Sequence, residues 1–65
     1  MKVNISIIVD LMCKNNMNQT QLAEACGVQT KTINAILTGK NNPKIETIGK
    51  IANCFNCKPS ELVEV

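Results

Sequence analysis

A chain of 65 residues, of which 45% are hydrophobic and 18% charged, is sized for a single small domain spanning residues 1–65. No apolar run approaches the roughly 20 residues that cross a bilayer, and the N-terminus lacks the pattern of a secretory signal, so we expect a cytoplasmic protein with no membrane partner. The net charge is only +2 and histidine is absent, which makes an acid–base active site near neutral pH hard to build. The composition therefore argues against an enzyme.

The first predicted element is a helix from about Ile5 to Lys14, where apolar residues recur at helical spacing after a capping residue, either Asn4 or Ser6. Its opening residues are rich in β-branched side chains and alternate as a strand would, so the first few could instead be extended.

The second helix has the clearest start signal. Asn18 can cap it, and Gln21 can bond back to the backbone N–H of Asn18, which places the first helical residue at Gln19. Gly27 can adopt the left-handed conformation that ends a helix. We therefore predict a helix of about eight residues between Asn18 and Gly27, held mainly by packing.

A third helix is predicted at about residues 30–37, because Ile33, Ile36 and Leu37 fall on one face at helical spacing. The opposite face is small and polar, and it carries Lys31, Asn34, Ala35 and Thr38, with Thr30 on the flank and Gln29 at the entry.

A fourth helix is predicted from about Ile45 to Phe55, and a short fifth helix after Pro59 contains Leu62. The residues expected to be buried in the fourth helix are Ile45, Ile48, Ile51, Ala52 and Phe55. The predicted fold class is all-α, as a compact five-helix domain.

Two short helices joined by a glycine turn form a helix-turn-helix pattern over about residues 19–38. Within it, residues 18–28 (NQTQLAEACGV) resemble the Cro and lambda-repressor type of helix-turn-helix protein, also called the XRE family. Residues 38–43 and 51–57 resemble the loop after the recognition helix and the closing segment of the same family. The resemblance implies a lambda-repressor-like DNA-binding domain whose third helix enters the major groove of double-stranded DNA while the second crosses the backbone.

In this interpretation two sets of residues contact DNA. The expected base-contacting residues are Gln29, Thr30, Lys31, Asn34 and Ala35, whose amide, hydroxyl, amine and methyl groups suit base edges. The expected phosphate-contacting residues are Asn18, Gln19, Thr38, Lys40, Asn41, Asn42 and Lys44. From Ala25 to Ile45 the chain has three lysines and no carboxylate, so positive charge is concentrated near this surface.

One departure from the family concerns an internal ion pair. Many members carry an Arg near the end of the first helix and a Glu near the end of the recognition helix, and the matching positions here are Met12 and Leu37. Replacing both partners with apolar groups strands no charge. We therefore expect Met12 and Leu37 to touch in the core.

The four cysteines, Cys13, Cys26, Cys54 and Cys57, leave a zinc site, a disulfide and simple core packing as alternatives. The spacing lacks a second C-x-x-C pair, and Cys26 occupies an inward position of the helix-turn-helix pattern. Free cysteine commonly packs as a small hydrophobe. We therefore predict core packing, with no metal and no cofactor.

These patterns predict a sequence-specific DNA-binding transcriptional regulator, expected to be a repressor, that acts as a homodimer without a small-molecule ligand. The terminal apolar residues Val3, Ile7, Val9, Val63 and Val65 could form the subunit interface, additional core or disordered ends. The alternative is a protein-interaction module with the same fold, such as an antitoxin or accessory factor, which the low net charge leaves open. A thiol redox or zinc-dependent enzyme lacks a base and a plausible cleft.

Overall fold

The computed structural model describes residues 2–40 and 43–64, which form a small helical domain closed by a two-stranded sheet. In chain order the elements are β1 (Lys2–Val3), α1 (Ile5–Lys14), α2 (Gln19–Cys26), α3 (Thr30–Leu37), α4 (Ile45–Phe55), a 3-10 helix (Pro59–Leu62) and β2 (Val63–Glu64). The first four predicted helices are confirmed. Within the described ranges, every helix is too short or too polar to serve as a membrane span.

The prediction of five α-helices is wrong at the C-terminal end. The fifth helical segment is a 3-10 helix of four residues that begins at Pro59. It ends at once because β-branched Val63 adopts an extended backbone and starts β2. β2 pairs antiparallel with β1, placing Lys2 opposite Glu64 and Val3 opposite Val63. The expectation that the first residues could be extended is thus confirmed, and the two ends of the domain are joined.

Local hydrogen bonds set the helix ends at the predicted residues. The Asn4 side-chain oxygen accepts the Ile7 N–H at 3.3 Å, so Asn4 is the cap of α1. At α2 the Asn18 side-chain oxygen accepts the Gln21 N–H at 2.8 Å, and the Gln21 side-chain oxygen accepts the Asn18 N–H at 2.9 Å. This is the predicted capping box. Gly27 ends α2 with a φ of 75°, a conformation that glycine adopts at little steric cost.

The core receives one large, fully buried side chain from each helical segment. These side chains are Ile8, Leu22, Ile33, Ile51 and Leu62. No polar or charged side chain of the described residues is buried, so the interior is held together by apolar packing. Met12 is buried and Leu37 packs partly buried against the same core, as apolar replacements of an ion pair should. A direct contact between those two side chains stays a prediction.

Two expectations of burial are wrong. Ile45 is 77% exposed because it is the first residue of α4 and precedes the turn, centred on Ile48, that packs on the core. Cys13 is exposed because it follows the buried Met12 by one position, which turns its side chain about 100° away from the core. Phe55, also expected to be buried, is only partly so.

The terminal apolar residues do not form one exposed patch. Val3 is buried, and Ile7 and Val63 are partly buried against the core, whereas Val9 is 41% exposed. Val65 lies outside the described residues. Val3 is therefore part of the core of a single chain and is poorly placed to hold a second subunit.

Candidate nucleic-acid interface

The helices α2 and α3 form a tight pair whose inner faces pack on the core. Leu22 and Ala23 are 0% and 1% exposed, and Ile33 and Ile36 are 1% and 2% exposed. The Val28 N–H donates to the carbonyl oxygen of Ala23 at 3.0 Å, which closes the end of α2 and leads the chain into α3. Because Ile33 and Ile36 point inward, the opposite side of α3 faces solvent.

This outer side of α3 carries the predicted base-contacting residues, which we call the recognition face: Gln29, Thr30, Lys31, Asn34 and Ala35. The first four are exposed and Ala35 is partly exposed. Gln29 is the N-cap residue of α3, yet its side chain makes no capping hydrogen bond, so its amide remains available to a ligand. The structure therefore brings these residues together on the surface, while their contacts with DNA stay predictions.

A groove of about 440 Å³ separates α3 from the start of α4, and we call it the α3–α4 groove. It is lined by Lys31, Thr32, Ala35, Ile36, Pro43, Lys44 and Thr47. Lys31, a predicted base contact, thereby shares a groove with Lys44, a predicted phosphate contact. Sequence reasoning does not single out Thr32 and Thr47, because the flank of α3 that faces α4 is decided by helix packing.

The N-terminus of α2 presents backbone donors of its own. Asn18 is exposed and Gln19 partly exposed, but the capping box already uses the Asn18 side-chain oxygen and backbone N–H. The N–H groups of Gln19 and Thr20 have no acceptor within the helix and lie at the positive end of its dipole. The first turn of α2 is therefore better suited than the Asn18 side-chain oxygen to hold a phosphate oxygen.

The segment after α3 supplies the other predicted phosphate contacts. Thr38, Lys40 and Lys44 are exposed, whereas Asn41 and Asn42 lie outside the described residues. The Thr38 hydroxyl donates its hydrogen bond to the Asn34 carbonyl oxygen, at 2.9 Å, at the C-terminal end of α3. The same proton is then not available to a phosphate. The two lysines are thus the stronger candidates for phosphate binding in this segment.

Positive charge on this side of the domain comes from three exposed lysines, Lys31, Lys40 and Lys44. The nearest acidic residues along the chain, Glu24 and Glu46, lie just outside the window that contains them. A net charge of only +2 would give weak long-range attraction if it were spread evenly. Its concentration in the segment that contains α3 favours binding of an anionic polymer on this side of the domain.

The cysteines do not assemble a metal centre in the described part of the chain, where no three Cys, His, Asp or Glu side chains come together. Burial raises the pKa of Cys57, and the neighbouring Glu61 carboxylate adds to that rise. Burial and contact with Cys54 raise the pKa of Cys26 to about 12. Zinc binds thiolates, so the raised pKa of each of these two thiols disfavours its use as a zinc ligand.

Known proteins share this sequence pattern and architecture. The profile of the helix-turn-helix family matches residues 8–62, which is most of the chain. An uncharacterized HTH-type transcriptional regulator of Archaeoglobus fulgidus is 38% identical over 55 residues, covering 85% of this chain and 78% of that protein. The cryptic phage CTXphi transcriptional repressor RstR of Vibrio cholerae is 36% identical over 58 residues, covering 89% of this chain and 52% of the repressor.

A solved structure extends the similarity to the whole fold. The crystal structure of a transcriptional regulator from Listeria innocua matches 100% of this chain with a TM-score of 0.75 and 27% sequence identity. This chain spans 65% of the Listeria protein and about half of the Vibrio repressor. Family profile, relatives and fold coincide on the region that holds α2 and α3. The chain therefore belongs to the helix-turn-helix family of DNA-binding transcriptional regulators of the Cro and lambda-repressor type.

Proposed function

We propose that this protein is a sequence-specific repressor that binds double-stranded DNA by inserting the N-terminal half of α3 into the major groove. The observation that carries the proposal is the exposure of the recognition face on a helix whose other side is anchored by Ile33 and Ile36. The major groove admits an α-helix, and each base pair presents there a distinct pattern of donors and acceptors. A rigidly held polar helix face can read that pattern.

The side chains of the recognition face suit different bases. The amides of Gln29 and Asn34 can each donate to and accept from adenine, and the Lys31 amine can donate to guanine O6 and N7. The Ala35 methyl group can pack against the methyl group of thymine. Each well-placed contact of this kind discriminates against a wrong base by about 1–3 kcal/mol.

Contacts with the DNA phosphates should supply the part of the affinity that does not depend on base sequence. The first turn of α2 offers N–H groups to one phosphate, and Lys40 and Lys44 offer charge to others. Counting Lys31 with them gives about six neutralised phosphates in a dimer, which corresponds to a slope of log affinity against log salt near −5. A measured slope close to zero would refute this electrostatic contribution.

We further propose that the protein acts as a homodimer, because one recognition helix reads only about four or five base pairs. In this proposal the second subunit binds at an apolar groove of about 360 Å³ between α4 and the 3-10 helix. Its lining residues are Ile45, Ile48, Gly49, Pro59, Ser60 and Val63. Lys44 lines the α3–α4 groove and Ile45 lines the apolar groove, and the two grooves share no lining residue, which supports separate contacts with DNA and with the second copy.

Sequence selection from a random duplex library tests the reading of DNA directly. We expect enriched sequences that contain two related half-sites spaced by about one helical turn, as two α3 helices on one face of a dimer require. Binding that shows no preference over random duplex would contradict sequence-specific regulation, and it would favour a role in protein interaction instead.

Single substitutions test which residues of this surface contact bases and which contact phosphates. Lys31→Ala and Asn34→Ala should each reduce discrimination at one base pair by about 1–3 kcal/mol, whereas Lys40→Ala should weaken binding to all sequences alike. Lys58→Ala is the matched control, because this exposed lysine follows the C-terminal end of α4, away from Lys44 at its N-terminal end. Uniform losses for all four variants would mean that the recognition face is wrongly assigned.

Two substitutions test the proposed subunit interface. Ile45→Lys should shift the protein toward monomer in sedimentation equilibrium, because it places a charge in the proposed apolar contact. Val9→Lys, at an exposed hydrophobic residue on α1, should leave the association unchanged. If Val9→Lys dissociates the dimer while Ile45→Lys does not, the second copy binds α1 and the proposed groove is not the interface.

A further inference from the structure

Two threonines line the α3–α4 groove, one from each helix, and neither belongs to the recognition face or to the predicted phosphate contacts. Thr32 lies in α3 and Thr47 in α4, and both are partly exposed. Among the described residues neither hydroxyl has a hydrogen-bond partner, whereas the Thr38 hydroxyl is held by the Asn34 carbonyl oxygen. Each wall of the groove therefore offers a hydroxyl group to a ligand.

The groove also carries positive charge on both walls. Lys31 belongs to α3 and Lys44 directly precedes α4, and both are exposed. The lining residues in the described part of the chain include no carboxylate. Glu46 comes directly before Thr47, but the turn of about 100° per residue directs its side chain away from that of Thr47. Hydroxyl and ammonium donors together suit an anion with several oxygens.

We propose that the α3–α4 groove binds one phosphate group, with the Thr32 and Thr47 hydroxyls donating to its oxygens and the Lys44 ammonium balancing its charge. The groove has a volume of about 440 Å³, within the roughly 300–1,000 Å³ of clefts that bind small ligands. The inference rests on the proposed function, because the phosphate in the complex is a phosphodiester of the DNA backbone beside the bases that α3 reads. Free inorganic phosphate presents the same oxygens and should bind more weakly.

A hydroxyl contact to phosphate differs measurably from the contacts assigned to the recognition face. Phosphate contacts carry no base sequence information, so the two threonines should strengthen binding to every duplex by the same factor. A hydroxyl is uncharged and displaces no counterion, so its loss should leave the slope of log affinity against log salt unchanged. Lys44→Ala, by contrast, should reduce the magnitude of that slope by about 1.

Threonine-to-valine substitutions test the two hydroxyls. Thr32→Val and Thr47→Val keep the branched side chain, and each should weaken binding to selected and random duplexes alike by about tenfold, the size expected for a hydrogen bond to a charged group. Thr32→Ser and Thr47→Ser retain the hydroxyl and should recover most of the affinity. Ser6→Ala, which removes an exposed hydroxyl from α1, is the matched control and should bind like the original protein. Fluorescence anisotropy over a range of salt concentrations measures both affinity and slope.

Titration of the original protein with inorganic phosphate tests the groove without DNA and without any variant that could fail to fold. In ¹H–¹⁵N spectra the amide signals of Thr32 and Thr47 should shift with added phosphate, while that of Ser6 should not. Sodium chloride at the same ionic strength is the control for general screening. The absence of phosphate-specific shifts at both threonines would overturn the site.

The outcomes separate this inference from the proposed function. If the original protein prefers its selected duplex and both valine variants bind it as tightly as Ser6→Ala does, the groove site is wrong and the repressor proposal survives. If phosphate shifts the two threonine signals but the protein shows no preference among duplexes, the groove binds phosphate and the sequence-specific function is wrong. A valine variant that loses discrimination at one base pair would also overturn the inference, because its threonine would then contact a base.

Discussion

The turn between α2 and α3 can be tested by comparing the same substitution, glycine to alanine, at Gly27 and at Gly49. Gly27 has a left-handed backbone, whereas Gly49 is helical. Gly27 has a φ of +75°, and an added Cβ there would meet nothing within 4 Å. The cost of Gly27→Ala is therefore conformational and amounts to about 1–2 kcal/mol of unfolding free energy. Gly49 lies inside α4, and its added Cβ also meets nothing within 4 Å, so Gly49→Ala should stabilise the protein by about 0.5–1 kcal/mol.

The expected gap between the two variants is thus about 1.5–3 kcal/mol, with opposite signs relative to the original protein. Urea unfolding followed by circular dichroism measures it, provided that both variants keep the original m-value. Because Gly49 lines the proposed dimer groove, the titrations should be repeated over a range of protein concentrations. Equal effects of the two substitutions, or a stabilising Gly27→Ala, would refute the assignment of Gly27 as an obligatory left-handed turn.

Three further predictions concern stability. Asn18→Ala should cost about 1 kcal/mol in urea unfolding by removing the capping box, whereas Thr20→Ala in the same exposed turn should change little; equal losses would mean that the cap contributes nothing. Leu62→Ala should cost about 2–5 kcal/mol if the 3-10 helix belongs to the core, because Leu62 is 0% exposed. The pKa of Cys26 is raised from 9.0 to about 12, so its contribution to stability is complete below pH 9 and is lost as the pH rises toward 12. Cys26→Ala should flatten that part of the pH–stability curve, and an unchanged slope would contradict the shift.

The helices could be located from the sequence because the interactions that start and end them join residues close together in the chain. Each cap depends on residues within one turn of each other, as with Asn18 and Gln21, and Gly27 needs no partner to favour its left-handed geometry. The outward side of α3 follows in the same way from the spacing of Ile33 and Ile36. The recognition face could therefore be named from the sequence, although its DNA contacts remain untested.

Predictions failed where the answer depended on residues distant in the chain. The β1–β2 pairing joins Val3 to Val63 from opposite ends of the domain, and no local pattern specifies that partner. Ile45 continues the apolar spacing of α4, but it is 77% exposed because the core packs against the later turns of that helix.

The amino-acid order by itself determined where each α-helix begins and ends and which side of α3 is polar, because caps, glycine geometry and helical periodicity act over a few residues. Only the folded chain decided which flank of α3 faces Lys44 and which apolar residues are left on the surface. Those outcomes depend on how helices pack on one another, and packing is settled jointly by side chains that lie far apart in the sequence.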